Sequence, residues 1–206
     1  KDSLPRSTGL LSSSAQIASY ISGAFTHGFG YDGTVQTSPG GTWSAGGAMI
    51  RTGLSNGSIA GTGTKNAALG AGGQFTSALT EEYNGTSFSE VNDLITGRYV
   101  AMMTGTTEAS VLFGGLAGST HPTQTSTCTE EFNGTNWSEV NDMILAVYGH
   151  MKLGITSEAA LSVGGDTTDA GYENNTVEDW NGTNWSQGTA LPSSPGTAYG
   201  ASAGTY

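Results

Sequence analysis

The sequence predicts an all-β protein in which a unit of about 45 residues, made of four short antiparallel strands, is repeated. Three observations support this prediction: one segment recurs at a nearly constant spacing, each copy carries an Asn-Gly hairpin signal, and each is preceded by an apolar run that ends in a glycine pair. Periods of 20 to 50 residues are typical of repeat architectures, and four strands per unit match one propeller blade. We therefore expect a β-propeller of about four blades.

The recurring segment reads TEEYNGTSFSEVND at residues 80–93 and TEEFNGTNWSEVND at residues 129–142, which is 49 residues later. A third copy, VEDWNGTNWS, occupies residues 177–186, another 48 residues along the chain. Such self-similarity indicates that each unit is one supersecondary structure that buries its apolar face against its neighbours.

An Asn-Gly pair lies at the centre of each copy, at Asn84-Gly85, Asn133-Gly134 and Asn181-Gly182. Asn-Gly between apolar runs is a strong signal for a hairpin with a type I′ turn, in which both central residues have positive φ. We therefore expect two antiparallel strands around each pair, for example residues 129–132 against residues 136–140.

Two further strands are expected ahead of each hairpin. Apolar runs that end in glycine pairs, at residues 68–73, 111–115 and 160–165, predict an inner strand. A run of small residues precedes each of them and ends at Gly63, Gly105 or Gly154. In the second unit, residues 98–103 complete the set of four strands.

The N-terminal segment differs in kind from the repeats. Ile17, Tyr20 and Ile21 stand at i, i+3 and i+4, and Ser12 or Ser13 is suited to cap a helix, so a short amphipathic helix is expected before Gly23. Residues 1–11 are interpreted as an extended arm, either a frayed terminus or a docking arm for a neighbouring subunit. The predicted parts are therefore residues 1–23 and a repeat domain of residues 24–206, with units near 24–79, 80–128, 129–176 and 177–206.

Composition and charge narrow the range of partners. The chain has 6 basic and 17 acidic residues and a formal charge of −11, which repels nucleic acid and anionic membrane surfaces. Cys128 is the single cysteine, so the chain has no intramolecular disulfide. No apolar run approaches the roughly 20 residues that span a bilayer.

The acidic pairs of the repeats are Glu81-Glu82, Glu130-Glu131 and Glu178-Asp179. Paired carboxylates serve acid–base catalysis, but these pairs recur once per unit, and alternation along a strand points neighbours to opposite faces. We interpret them as solvated strand positions. No calcium-binding loop of the Asp-x-Asp-x-Asn-Gly type surrounds them.

The remaining chemically active residues form no recognisable constellation. His27, His121 and His150 occupy non-equivalent repeat positions without metal-ligand spacing, and Cys128 is predicted to be an inert buried thiol. The sequence has no phosphate loop. We therefore assign no catalytic, cofactor-binding or metal-binding residue and predict that the protein is not an enzyme.

Aromatic residues recur at one position, as Phe88, Trp137 and Trp185, with Trp43 as a candidate fourth member. Recurrence favours packing between units over stacking against a sugar, because packing must be repeated at every junction. The Asn-x-Ser/Thr triplets around the hairpins, which are glycan acceptors in secreted eukaryotic proteins, are explained here by the turns.

These motifs resemble the kelch repeat, which has a strand ending in Gly-Gly, then a Tyr-bearing strand, a turn and a Trp in the outer strand. Gly114-Gly115, Phe132 and Trp137 fit that order. The unit departs from the kelch pattern in its short Asn-Gly-Thr turn and in the arginine before the inner strand, which is present as Arg98 but replaced by Val147 one unit later. Copper oxidases of the galactose oxidase kind also carry kelch-like blades, but nothing marks their Tyr–Cys and histidine site here.

The motif EEYNGTSFS and the segment at residues 8–18 are similar in sequence to kelch-like repeat proteins of marine bacteriophage virions, cyanophages in particular. The resemblance implies a non-enzymatic virion structural protein, as a tail fibre, head fibre or surface decoration. Its implied partners are other virion proteins, copies of itself and a host-surface glycan or receptor. The alternatives are a carbohydrate- or receptor-binding adhesin and, third, a secreted propeller enzyme.

The two ends of the chain predict how the repeats close. Residues 201–206 match the small-residue run before Gly105, while residues 29–35 and 42–44 look like the later strands of a blade whose first strand is missing. Pairing of terminal strands hides sheet edges. We expect residues 196–204 to pair with the segment between residues 29 and 44 and complete a fourth blade; the competing interpretation is a fragment whose repeats continue.

Overall fold

The computed structural model describes residues 45–51, 58–74, 77–117, 124–167 and 174–194. The chain divides into two units, residues 1–45 and 46–206, and apart from Ala45 all described residues belong to the second. The predicted arm and helix, Trp43, and the predicted pairing of residues 196–204 with residues 29–44 lie outside the described residues.

The described residues form three four-stranded antiparallel sheets, and in each sheet the strands lie in chain order. This arrangement confirms the prediction of an all-β protein with four short strands per unit. Sheet one consists of β1 (Ala60–Thr64), β2 (Ala67–Ala71), β3 (Thr80–Tyr83) and β4 (Phe88–Val91). Sheet two consists of β5 (Met102–Gly105), β6 (Ser110–Phe113), β7 (Thr129–Phe132) and β8 (Trp137–Glu139). Sheet three consists of β9 (Met151–Leu153), β10 (Ala160–Val163), β11 (Val177–Trp180) and β12 (Trp185–Gln187).

The hairpins around the Asn-Gly pairs are present, but their turns are not of type I′. The last paired residues are Tyr83 and Phe88, so four residues form the loop. Gly85 has a φ of 90°, whereas Asn84 is not among the described residues with positive φ. The Asn84 side chain instead accepts hydrogen bonds from the backbone N–H groups of Thr86 and Ser87, each at 3.0 Å. The other two hairpins repeat these asparagine contacts, because the side chain satisfies the two turn donors directly.

The glycine pair of sheet two allows two close approaches at the end of its second strand. In sheet two, a Cβ on Gly114 would lie 2.8 Å from the carbonyl oxygen of Val147, in the link to the next sheet. A Cβ on Gly115 would lie 2.7 Å from the Cβ of Ala101, just before the first strand of its own sheet. Both glycines also have positive φ. Gly114 therefore lies where sheet two meets the link to sheet three, whereas Gly115 packs closely within its own sheet.

Successive sheets contact each other along their first strands, with β1 beside β5 and β5 beside β9. Thr62 Oγ1 donates a hydrogen bond to the Gly105 carbonyl at 2.6 Å, and Thr104 Oγ1 donates one to the Gly154 carbonyl at 2.8 Å. Leu153 takes the equivalent position in sheet three. One threonine hydroxyl thus connects each first strand to the next.

Two apolar clusters fill the spaces between the sheets. The first joins Leu69 and Ala71 of sheet one to Leu112, Phe132 and Trp137 of sheet two. The second joins Val111 and Phe113 of sheet two to Ala160, Trp180 and Trp185 of sheet three. The core therefore lies between units, as expected for repeats that cannot bury an apolar face alone. In the described part of the chain, no helix has the length and apolar character needed to cross a membrane.

Candidate functional site

The first glutamate of each acidic pair is buried, contrary to the prediction that both residues are solvated. Glu81, Glu130 and Glu178 are only 2%, 0% and 2% exposed. The second member of each pair, by contrast, is partly or fully exposed. The alternation along the strand is confirmed, since neighbouring side chains point to opposite faces, but one of those faces is the junction between units.

Each buried carboxylate binds the link that enters its own sheet from the preceding part of the chain. Glu130 accepts hydrogen bonds from the backbone N–H groups of Ile95 and Thr96, at 2.8 and 3.2 Å. Glu178 accepts from Ile144 and Leu145 at 2.9 and 2.8 Å. Glu81 does the same with residues 50 and 51, at 2.9 and 3.0 Å. A carboxylate with two lone-pair-rich oxygens suits two adjacent amide donors, which explains why glutamate recurs at this position.

Two of the three glutamates also form buried ion pairs with arginine. Arg51 Nε lies 2.7 Å from Glu81, and Arg98 Nη2 lies 2.5 Å from Glu130. Burial raises the pKa of Glu81, but the hydrogen bonds from Arg51 and the backbone outweigh it and hold the pKa below its ordinary value. In the link that enters sheet three, Val147 occupies the arginine position, and burial raises the pKa of Glu178 because its backbone donors offset burial only in part.

The recurring tryptophans pack between units, as the sequence predicts. Trp137 is 6% exposed, and its indole N–H donates to Thr80 Oγ1 of sheet one at 3.1 Å. Trp185 is 7% exposed and donates to Thr129 Oγ1 of sheet two at 3.0 Å. Both rings therefore span a junction and bring their polar atom to a partner there.

His150 is fully buried beside the glycine pair of sheet two. Its ring lies 5.5 Å from that of Phe113, and both ring nitrogens lack a hydrogen-bond partner. Burial lowers the pKa of His150 to about 3, so the ring is neutral in the folded protein at neutral pH. His27 and His121 lie outside the described residues.

We expect His150 to make folding stability pH-dependent. The unfolded chain binds a proton near pH 6.5 that the folded chain does not accept until about pH 3, so stability is lost as the pH falls through this interval. The loss from His150 is at most about 1.4 kcal/mol per pH unit. Urea unfolding at several values between pH 7.5 and pH 4 measures how the free energy of unfolding depends on pH. His150→Ala, which copies Ala101 of sheet two, should have a flatter pH dependence; equal slopes would contradict the assignment.

Cys128 is partly rather than fully buried, which corrects the sequence prediction. Burial raises the pKa of its thiol, in keeping with low reactivity. Its Sγ and the carboxylates of Glu139 and Asp142 all lie within 4.8 Å of one another. Both acidic residues are exposed, and nothing else at this position points to a bound metal.

The first strands and their turns line a pocket of about 590 Å³, within the range of small-molecule sites. The sequence prediction missed it because its residues are scattered over three units. Its lining consists mainly of glycine and threonine, with one lysine: Gly61, Thr62, Gly63, Thr64, Ala67, Thr104, Gly105, Thr106, Thr107, Lys152, Gly154 and Ile155. The small-residue runs before the glycine-pair strands are the signal that could have located it.

The charged residue of the pocket lining is a lysine. Lys152 lines the pocket, and no acidic residue is among its lining residues. Burial lowers the pKa of Lys152, because the ammonium group has lost part of its hydration.

No protein-family model matches the sequence, and no curated protein is similar to it. Solved structures with a similar fold include that of YjhT, which has a TM-score of 0.56 and 12% sequence identity. That alignment covers 66% of this chain and 52% of YjhT, so the chain spans about half the length of that structure. At this identity the likeness concerns the fold alone.

Proposed function

We propose that the three sheets are blades of a kelch-like propeller of about four blades, and that the protein is a non-enzymatic structural component of a bacteriophage virion surface. Tail fibre, head fibre and surface decoration are the roles that fit. The kelch and virion assignments rest on the sequence resemblance. Its implied partners are other virion proteins and copies of this chain.

The contacts made by the repeated residues support a structural role. Glu130, Trp137 and Gly114 recur in equivalent form, and each contacts a neighbouring sheet or the link between two sheets. In an enzyme, by contrast, a catalytic constellation is usually made once. The repeated positions thus build a stable, regular scaffold with polar loops, which suits the surface of a particle.

The ring geometry is tested by a crystal structure of the full chain. We expect successive sheets to be related by rotation about one common axis, with their first strands nearest to it. Sheets stacked in a line, with no common axis, would contradict the propeller assignment and indicate a solenoid.

The virion role is tested by immunogold electron microscopy of purified phage particles from a culture that produces this protein. Antibodies against the full recombinant chain should label the particle surface. The control is the same serum absorbed with the recombinant chain, which should give no label. Label confined to cell debris, with bare particles, would contradict the proposal.

A second candidate function is recognition of a host-surface carbohydrate or receptor. The pocket along the first strands favours it, because that pocket is of ligand size and is lined by hydroxyl groups and one cation. A virion protein can have both roles, so this candidate adds to the first.

A further inference from the structure

We propose that the links leading into the three sheets form a docking face for a different protein, one that presents apolar side chains among lysine or arginine residues. This link face consists of the exposed isoleucines and aspartates of the described links: Ile50, Ile95, Ile144, Asp93 and Asp142. The inference names the kind of partner that the proposed structural role implies, and it rests on that role.

The three isoleucines occupy one equivalent position in successive units. The backbone N–H group of each donates to the buried glutamate of the sheet that its link enters, at 2.9 Å for Ile50, 2.8 Å for Ile95 and 2.9 Å for Ile144. Because the same contact fixes this position in every unit, the side chains project from the same point of each unit. They form a row that runs from one unit to the next.

Packing within the fold does not explain these isoleucines. They are 52%, 58% and 61% exposed, which makes them the three most exposed large apolar side chains in the described part of the chain. Leu94 and Met143, which precede two of them, are only 4% exposed and supply the apolar contact of their links. Ile95 and Ile144 also lie in bends, which do not favour β-branched residues. A single exposed apolar residue needs no explanation, but one repeated in every described link indicates a contact outside the chain.

The exposed charges of the described links are acidic. Asp93 and Asp142 are exposed and stand two residues before the isoleucine of their link. Asp93 accepts a hydrogen bond from the N–H group of Thr80, and Asp142 accepts one from the hydroxyl of Thr127, each at 3.1 Å. Both donors are neutral, and the two ion pairs of the described residues involve other carboxylates. The link face therefore combines apolar side chains with negative charge.

This charge distinguishes a different protein from a second copy of the chain. A second copy docked through the same face would bring aspartates opposite aspartates. A carboxylate oxygen of Glu139 lies within 4.8 Å of one of Asp142 and adds to the negative charge there. The link arginines, Arg51 and Arg98, are buried in ion pairs with glutamates and offer no charge to a partner. Since complementary potentials favour association and like charges oppose it, the partner carries cationic residues beside its apolar ones.

The test is calorimetric titration of the full chain, in about 0.15 M NaCl, with three synthetic octapeptides. One alternates leucine with lysine, the second serine with lysine and the third leucine with glutamate. We expect the leucine–lysine peptide to bind at least about tenfold more tightly than either of the others. The double variant Ile95→Ser, Ile144→Ser should weaken its binding at least about fivefold.

Ile155→Ser is the matched control. It removes an isoleucine that is 48% exposed but lines the pocket instead of the link face, and it should change the affinity less than about twofold. Equal losses in this control and in the double variant would overturn the proposal. If the double variant does not fold, the comparison of the three peptides on the unmodified chain still decides.

Three further results would also overturn the proposal. Equal affinity for the leucine–lysine and serine–lysine peptides would show that only the net charge of the chain attracts the probe. The second result is no binding of the leucine–lysine peptide up to roughly 1 mM. The third is a dimer of the unmodified chain in sedimentation that the double variant abolishes, since it identifies a second copy as the occupant. Immunogold labelling of particles is independent of these measurements, so failure of the link face and failure of the virion proposal are distinguishable.

Discussion

Replacing Trp137 or Trp185 by alanine is expected to lower the free energy of unfolding by about 3 kcal/mol or more. Each ring is buried at a junction between sheets, and its removal leaves a large cavity there. It also leaves the hydroxyl of Thr80 or Thr129 without its indole partner. Urea or thermal unfolding of the full chain measures the effect.

The matched controls separate packing from hydrogen bonding. Trp137→Phe copies Phe88 of sheet one and should cost less than the alanine variant, because most of the ring volume remains. Thr80→Val keeps the Trp137 ring but leaves the indole N–H buried without an acceptor, which should cost about 1–3 kcal/mol. Unchanged unfolding of the alanine variants, together with loss of glycan binding, would identify these residues as ligand platforms and contradict the packing role.

Replacing Glu130 by alanine is expected to destabilise the fold by about 3–5 kcal/mol, the usual cost of removing one partner from a buried ion pair. Arg98, which is fully buried, would then lack its counter-charge, and the N–H groups of Ile95 and Thr96 would lose their acceptor. Urea unfolding at pH 7 is the measurement.

Glu178 of sheet three provides the comparison for Glu130. Glu178 binds two backbone N–H groups but has Val147 where Arg98 stands, so Glu178→Ala should cost less than Glu130→Ala. The double variant Arg98→Val, Glu130→Gln removes both charges and should be more stable than Glu130→Ala alone. If Glu130→Ala unfolds at the same urea concentration as the unmodified chain, the carboxylate does not hold the link between sheets.

The sequence by itself determined the strands and their number per unit. Strand positions follow from the Asn-Gly pairs and the glycine pairs, which each act within a few residues of the chain, and the period of nearly 50 residues repeats these signals from unit to unit. The recurrence of Phe88, Trp137 and Trp185 also predicted packing between units, because every unit needs an apolar contact with its neighbour.

Only the tertiary structure decided which side of each strand is enclosed. Alternation placed Glu130 and Glu131 on opposite faces, but the burial of Glu130 depends on a link from another part of the chain that supplies two N–H donors. The pocket could not be predicted from sequence for the same reason. Its lining residues come together only because three first strands, far apart in sequence, lie side by side. Local sequence sets the backbone pattern, whereas burial and charge environment are set by contacts between distant residues.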